Sequence, residues 1–157
     1  MENKKPKIII IAVIIVLCLL FVIIFMIEGN IQSKKLIDDS VPQINTEILG
    51  NKGDLVSLSI VPGQRVSGTL SVTGTVKGAY FFEANIVLNI IDMNKNILVR
   101  SHGNATTDWM TSEPVSFKGA IDLSEVAKGP AYLEIHNDNA SGLPENDKSI
   151  LIPIIIN

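Results

Sequence analysis

The run Ile8 to Ile27, IIIIAVIIVLCLLFVIIFMI, constrains this chain more than any other feature. At about 1.5 Å of rise per residue, a helix of that length matches a hydrocarbon core roughly 30 Å thick. The run holds no charge, amide, Gly or Pro. In water it would expose a large apolar surface, and inside a small domain it would leave no polar face for solvent. It reads as a membrane-spanning helix. Lys4, Lys5 and Lys7 crowd the residues before it, whereas Glu28 and Gly29 open the other flank and Lys34 and Lys35 are offset by Asp38 and Asp39. That asymmetry puts the N-terminus inside and the C-terminal part outside the cytoplasmic membrane. A secretory signal has a shorter apolar core and small residues at its cleavage site. Here Met26, Ile27 and Glu28 follow Phe25, so an uncleaved signal anchor is expected.

The remaining sequence divides by composition. Residues 1–7 form a cytoplasmic tail and 8–27 the transmembrane helix. Residues 28–55 mix charge, amide and Gly as a linker or stalk, and 56–157 have the size of one domain with its own core. Cys18 is the single cysteine and lies inside the apolar run. No disulfide is available to the outer part, so its fold must rest on packing. With Lys4, Lys5, Lys7 and Glu2 set aside, ten basic residues face fifteen acidic ones, a net charge of −5. No basic patch exists for nucleic acid or anionic lipid headgroups.

After the linker the apolar period is two. Leu58 and Ile60 alternate with Ser57 and Ser59, and Leu70 and Val72 with Ser71 and Thr73. The longest candidate strand runs from Tyr80 to Ile91, with Phe82, Ala84, Ile86, Leu88 and Ile90 on one face and Glu83, Asn85 and Asn89 on the other. Asp92 to Asn96 then reverses the chain into Ile97 to Ser101 as a hairpin. Further strands are expected at Val115 to Ile121, Ala131 to His136 and Ser149 to Ile156. Pro153 marks the last as an edge or a bulge, and Leu123 to Val126 is the one short helical turn. About seven short strands separated by turn signals predict an all-β, immunoglobulin-like antiparallel β-sandwich behind a single N-terminal transmembrane helix.

Specific residues sharpen that reading. Tyr80-Phe81-Phe82-Glu83, then Asp108-Trp109-Met110-Thr111 followed by Phe117, then the stretch from Asn137 to Asp147 and a closing Ile152-Pro153 together resemble the immunoglobulin-like domain of bacterial spore germination proteins. The resemblance covers the chain from about Leu55 onward. It implies an extracytoplasmic β-sandwich of bacterial origin, found in sporulation proteins and in anchored envelope proteins of species that do not sporulate. It supplies no catalytic residue. A transmembrane run without a companion domain departs from the sporulation arrangement.

The candidate partner-binding residues are Tyr80, Phe81, Trp109, Asn139, Glu145 and Asp147. Phe81 falls opposite Phe82 by alternation, so Tyr80 and Phe81 are the candidate exposed apolar patch, with cover by a loop as the other reading. Trp109 either plugs one end of the sandwich or serves as an exposed anchor. Asn137 to Asp147 fails the EF-hand template, which needs a carboxylate at its first and twelfth positions where this chain has Asn137 and Lys148. A looser calcium site from Asp138, Glu145 and Asp147 competes with an ordered turn in which Asn and Asp side chains bond nearby backbone, Gly142 takes positive φ and Pro144 stiffens the corner. His102, His136 and Asp138 would make a zinc site only if their strands were neighbours in register. There is no H-E-x-x-H, no G-x-S-x-G and no phosphate loop.

The expectation is a membrane-anchored, extracytoplasmic, non-catalytic module with a binding or structural role at the bacterial cell envelope, related to sporulation or germination. No enzyme activity, cofactor, metal or nucleic-acid partner is expected. Its partners are the membrane and an unidentified protein or cell-wall component. The competing reading is a wall- or carbohydrate-binding accessory, calcium-dependent.

Overall fold

A computed structural model describes Leu20 and residues 46–157. Apart from Leu20, the apolar run lies outside the described residues, and among those described no helix is long and apolar enough to cross a membrane. Residues 46–157 are all-β. Nine strands follow one another: β1 Leu49–Gly50, β2 Leu55–Leu58, β3 Gln64–Val66, β4 Thr69–Lys77, β5 Asn85–Ile91, β6 Ile97–Ala105, β7 Pro114–Asp122, β8 Gly129–His136 and β9 Ser149–Ile156. They join in the order β1-β9-β8-β5-β6-β7-β4-β2, with β3 alongside β9. Every pairing is antiparallel except β3 with β9.

Alternation marks β4, β5 and β7, and a continuous apolar run marks β9. β1 and β3 are two and three residues long, too short to show alternation. They exist because β9 has an open side for them to pair with. β1 and the 3-10 turn Lys52–Asp54 fall within residues 28–55. The expected two-layer sandwich is realised as one curled sheet, because β6 pairs with β5 along Ile97 to Asn104 and with β7 through Gly103 to Ala105. Glycine allows that crossing. Gly103 faces Gly119, and a Cβ on Gly119 would stand 2.6 Å from Leu88 Cδ1. Leu88 fills the space where side chains of β6 and β7 would otherwise collide.

The curl encloses one main core. Leu70, Val72 and Val76 of β4, Ile86, Leu88 and Ile90 of β5, Val115, Phe117 and Ile121 of β7, Leu133 and Ile135 of β8, and Ile150 to Ile156 on the inward face of β9 all belong to it. A smaller cluster on the outer face joins Ile91, Tyr132 and Leu151, with Leu49 packed against it. β9 is therefore covered on both sides, which its continuous apolar run reflects.

Pro153 lies in this covered strand and is buried. Its carbonyl accepts the Gly63 N–H at 2.7 Å, on the side away from β8. Along that side β1 pairs as far as Leu151 and β3 begins at Ile154. N–H and C=O of one strand residue point the same way. The missing donor of Pro153 thus falls in the gap between two partners, and the β8 ladder loses nothing. The hairpin turn forms as expected: Asp92 Oδ1 accepts the N–H groups of Asn94 and Asn96, both at 2.8 Å. Leu123 to Val126 is a hydrogen-bonded turn, not a helix, closed by Val126 N–H on Leu123 O at 3.0 Å.

Strand directions sort the loops between two poles. Residues 51–54, 78–84, 106–113 and 137–148 gather at one. They are tied together by Gly78 N–H to Glu113 O at 3.1 Å, Ala105 N–H to Ala84 O at 2.8 Å and Asp138 N–H to Tyr80 O at 3.0 Å. Lys77 and Asp54 add an ion pair at 2.6 Å. Both ends of residues 46–157 lie at or toward the other pole: Thr46 packs at Gly63, and Asn157 N–H bonds Val66 O at 2.9 Å.

Candidate functional site

Asn89 sits mid-strand on the outer face of the sheet. The registers set Arg100 of β6 opposite it on one side and Glu134 of β8 on the other. One row up, Val87 is flanked in the same way by His102 and His136. The loop 137–147 and the hairpin lysine Lys95 rise beside these rows and close a groove of about 420 Å³, within the size range of small-ligand sites. Val87 and Ile97 give it apolar walls, and the rest of its lining is polar or charged.

Asn89 is only 2% exposed. Its amide N–H donates to Glu134 Oε2 at 2.8 Å, while its Oδ1 is buried with no partner. An ionised carboxylate only accepts, so Glu134 dictates which way the amide faces and turns the carbonyl oxygen away from itself. Among the described residues the ion pairs are Lys52–Glu47 and Lys77–Asp54; Arg100, Lys95 and Glu134 make none. Asn89 was legible as a polar-face residue. Its burial came from neighbours that no local pattern could name.

The loop 137–147 is an internally bonded turn. Asn137 is buried, donates from Nδ2 to Asn146 O at 3.0 Å and accepts Lys148 N–H at 2.8 Å. Asn139 donates to Leu143 O at 2.9 Å and to Asp147 Oδ1 at 2.7 Å, and accepts both donors of Ser141. Gly142 has φ +65° and Pro144 opens a 3-10 turn. Asn139 and Asp147 line the groove, whereas Glu145 stands exposed and off it. Among the described residues no three His, Cys, Asp or Glu side chains gather closely enough to hold a metal ion. The two histidines lie on β6 and β8 with β5 between them, so their strands are not neighbours.

Tyr80 and Phe81 are not the exposed patch that alternation predicted. Tyr80 is fully buried and Phe81 is 8% exposed, its ring 6.4 Å from that of Phe117 and tilted by 57°. The strand does not begin until Asn85. Before it, Gly78–Tyr80 forms a 3-10 turn, and Phe82 and Asn85 exchange hydrogen bonds around Glu83 and Ala84, both at positive φ. Two positive-φ residues inside a tight turn are the type I′ pattern, which ordinarily calls for Asn or Gly. Glu-Ala gave no such signal. The turn rotates the aromatic cluster, leaving Phe82 outside. Burial and the Asp54 carboxylate push the Tyr80 hydroxyl well above the usual phenol range. Asp54 is already engaged by Lys77, and the hydroxyl makes no well-formed hydrogen bond. Trp109 is half-buried against the core edge beside the exposed Met110, which favours the plug over the free anchor.

A second groove, of about 460 Å³, runs between β2, β4 and β7. Three of its hydroxyls are engaged: Thr75 and Ser116 bond each other, and Ser59 takes the Thr73 N–H, each at 3.0 Å.

A curled all-β domain with loops tied at one pole and a polar groove on its outer face defines an immunoglobulin-like module. The chain belongs to the family described as the immunoglobulin-like domain of bacterial spore germination, which it matches over residues 61–142, just over half its length. No curated protein and no solved structure matches it.

Proposed function

We propose that this chain is a single-pass membrane protein that displays its immunoglobulin-like domain outside the bacterial cytoplasmic membrane as a non-catalytic binding module, in the context of sporulation or of the cell envelope more widely. The observation that carries this is the segregation of the domain's surfaces. Four bonded loops occupy one pole, and both ends of residues 46–157 lie at or toward the other. Entry of the described chain at the pole away from the bonded loops supports those loops as the partner-facing surface. Tethering restricts the module to two dimensions and raises its effective concentration for partners in the wall or membrane. Ile8 to Ile27 supports the anchor by length and by the absence of any charge.

The test is protease added to intact cells that lack an outer barrier and express the full chain with a C-terminal epitope. Loss of the epitope without lysis is expected; full protection would overturn the topology. Cross-linking of the displayed domain should then capture an envelope component.

A further inference from the structure

We infer that the groove beside Asn89 binds a small zwitterion of the short-peptide class, with its ammonium group on Asn89 and Glu134 and its carboxylate on Arg100. This rests on the reading of the domain as a binding module. The starting observation is Asn89 Oδ1, an acceptor on a residue only 2% exposed that has no donor. Native proteins rarely leave such an atom unpaired, because its desolvation is not recovered. Glu134 holds the amide at 2.8 Å and fixes its orientation, so the free oxygen awaits an N–H or O–H from outside the fold.

Charge decides which kind of donor. Arg100 of β6 stands on one side of Asn89 and Glu134 of β8 on the other, and Lys95 and Asp147 line the same groove. Strands are about 4.8 Å apart, so the two sides are separated by roughly two spacings. That distance explains why Arg100 and Glu134 form no ion pair, and it leaves room for a ligand carrying both signs. A positively charged N–H donor meets Asn89 and the Glu134 carboxylate, while a carboxylate meets the guanidinium in the planar, paired geometry that Arg favours. A neutral sugar would offer hydroxyls to Asn89 but no charge to balance the two cations, and no Phe, Tyr or Trp lines the groove for a sugar face to stack upon. The volume, about 420 Å³, suits a ligand of a few residues.

Calorimetric titration of the full chain in detergent micelles with alanyl-alanine, its N-acetyl form and its C-terminal amide tests the assignment. The free dipeptide is expected to bind and to shift the Asn89 side-chain amide resonances. Each blocked form should bind at least about tenfold more weakly, and so should Arg100→Ala, whose exposed position makes misfolding no issue. Asn89→Leu should abolish binding. L,L and D,D dipeptides are run in parallel: preference for D,D names a wall-derived source, and preference for L,L an ordinary peptide. No Asn89 shift at roughly 10 mM dipeptide, or equal binding of the blocked forms, overturns the assignment. If that happens while the epitope remains protease-accessible on cells, the ligand reading alone has failed.

Discussion

The backbone of Gly78 lies directly against the backbone of Thr111, so that a Cβ on Gly78 would overlap the Thr111 carbonyl oxygen. Gly78 N–H also bonds Glu113 O at 3.1 Å, which locks the loop before β5 to the loop before β7. Neither partner is a side chain that can swing aside. Gly78→Ala is expected to cost about 3 kcal/mol or more, because backbone must move at a junction that several loops share. Gly53→Ala is the control, since nothing lies within 4 Å of its Cβ position; it should change stability by less than about 0.5 kcal/mol. Urea denaturation of both variants reads the difference.

Tyr80 buries a hydroxyl that has no well-formed hydrogen bond. Tyr80→Phe keeps the ring and removes that atom, so stability at neutral pH should hold or rise by about 1 kcal/mol. Its pKa is raised in the folded state. The stability tied to the neutral hydroxyl is therefore complete below the ordinary phenol value of 10.0 and is lost as pH rises above it. Thermal melts of the wild type should fall more steeply than those of Tyr80→Phe between about pH 9 and 11.

Ala84 holds φ +63° in the turn that sends Phe82 outward. An L-residue pays for that conformation, and Gly does not. Ala84→Gly should stabilise the domain by about 0.5 kcal/mol, the relief being partly offset by the freedom Gly gains in the unfolded chain. A loss of stability in denaturant titration would contradict the turn geometry.

Asn137 closes the long loop with its side-chain bonds to Asn146 and Lys148. Asn137→Ala leaves a part-buried carbonyl and N–H unpaired and should cost about 2 kcal/mol, with faster hydrogen exchange at residues 138–148. Glu145→Ala, at an exposed position in the same loop, should leave exchange unchanged.

Asp92 accepts from the Asn96 side chain and from two backbone N–H groups, and these bonds hold its carboxyl below the usual range. A depressed folded-state pKa contributes stability above the ordinary value, and that contribution fades as pH falls below it. Asp92→Asn should flatten the acid limb of a melting profile taken from about pH 5 to 2, and the change should be small because the group is exposed.

Much of the fold was legible because its signals are local. Alternation in β4 and β7 and the Asp92 to Asn96 turn involve residues within a few positions of one another, and each formed as read. The Asn-rich loop was equally readable, since Asn137 and Asn139 bond partners no more than eleven positions away. The misplacement of Tyr80 and Phe81 had a single source. Alternation was carried through Glu83-Ala84, where the chain makes a tight turn without the residues that announce one.

By itself the sequence determined where an apolar helix-length run stands, that the rest is built of short strands, and which turns close them, because period and turn chemistry act over a few bonds. Only the tertiary structure decided that β6 joins two faces into one curled sheet, that Phe81 packs on Phe117, and that Asn89 is buried against Glu134. Phe81 and Phe117 are 36 positions apart, and Asn89 and Glu134 are separated by 45. Their meeting depends on strand order and register, which are set by the packing of the whole core and not by any segment of the chain.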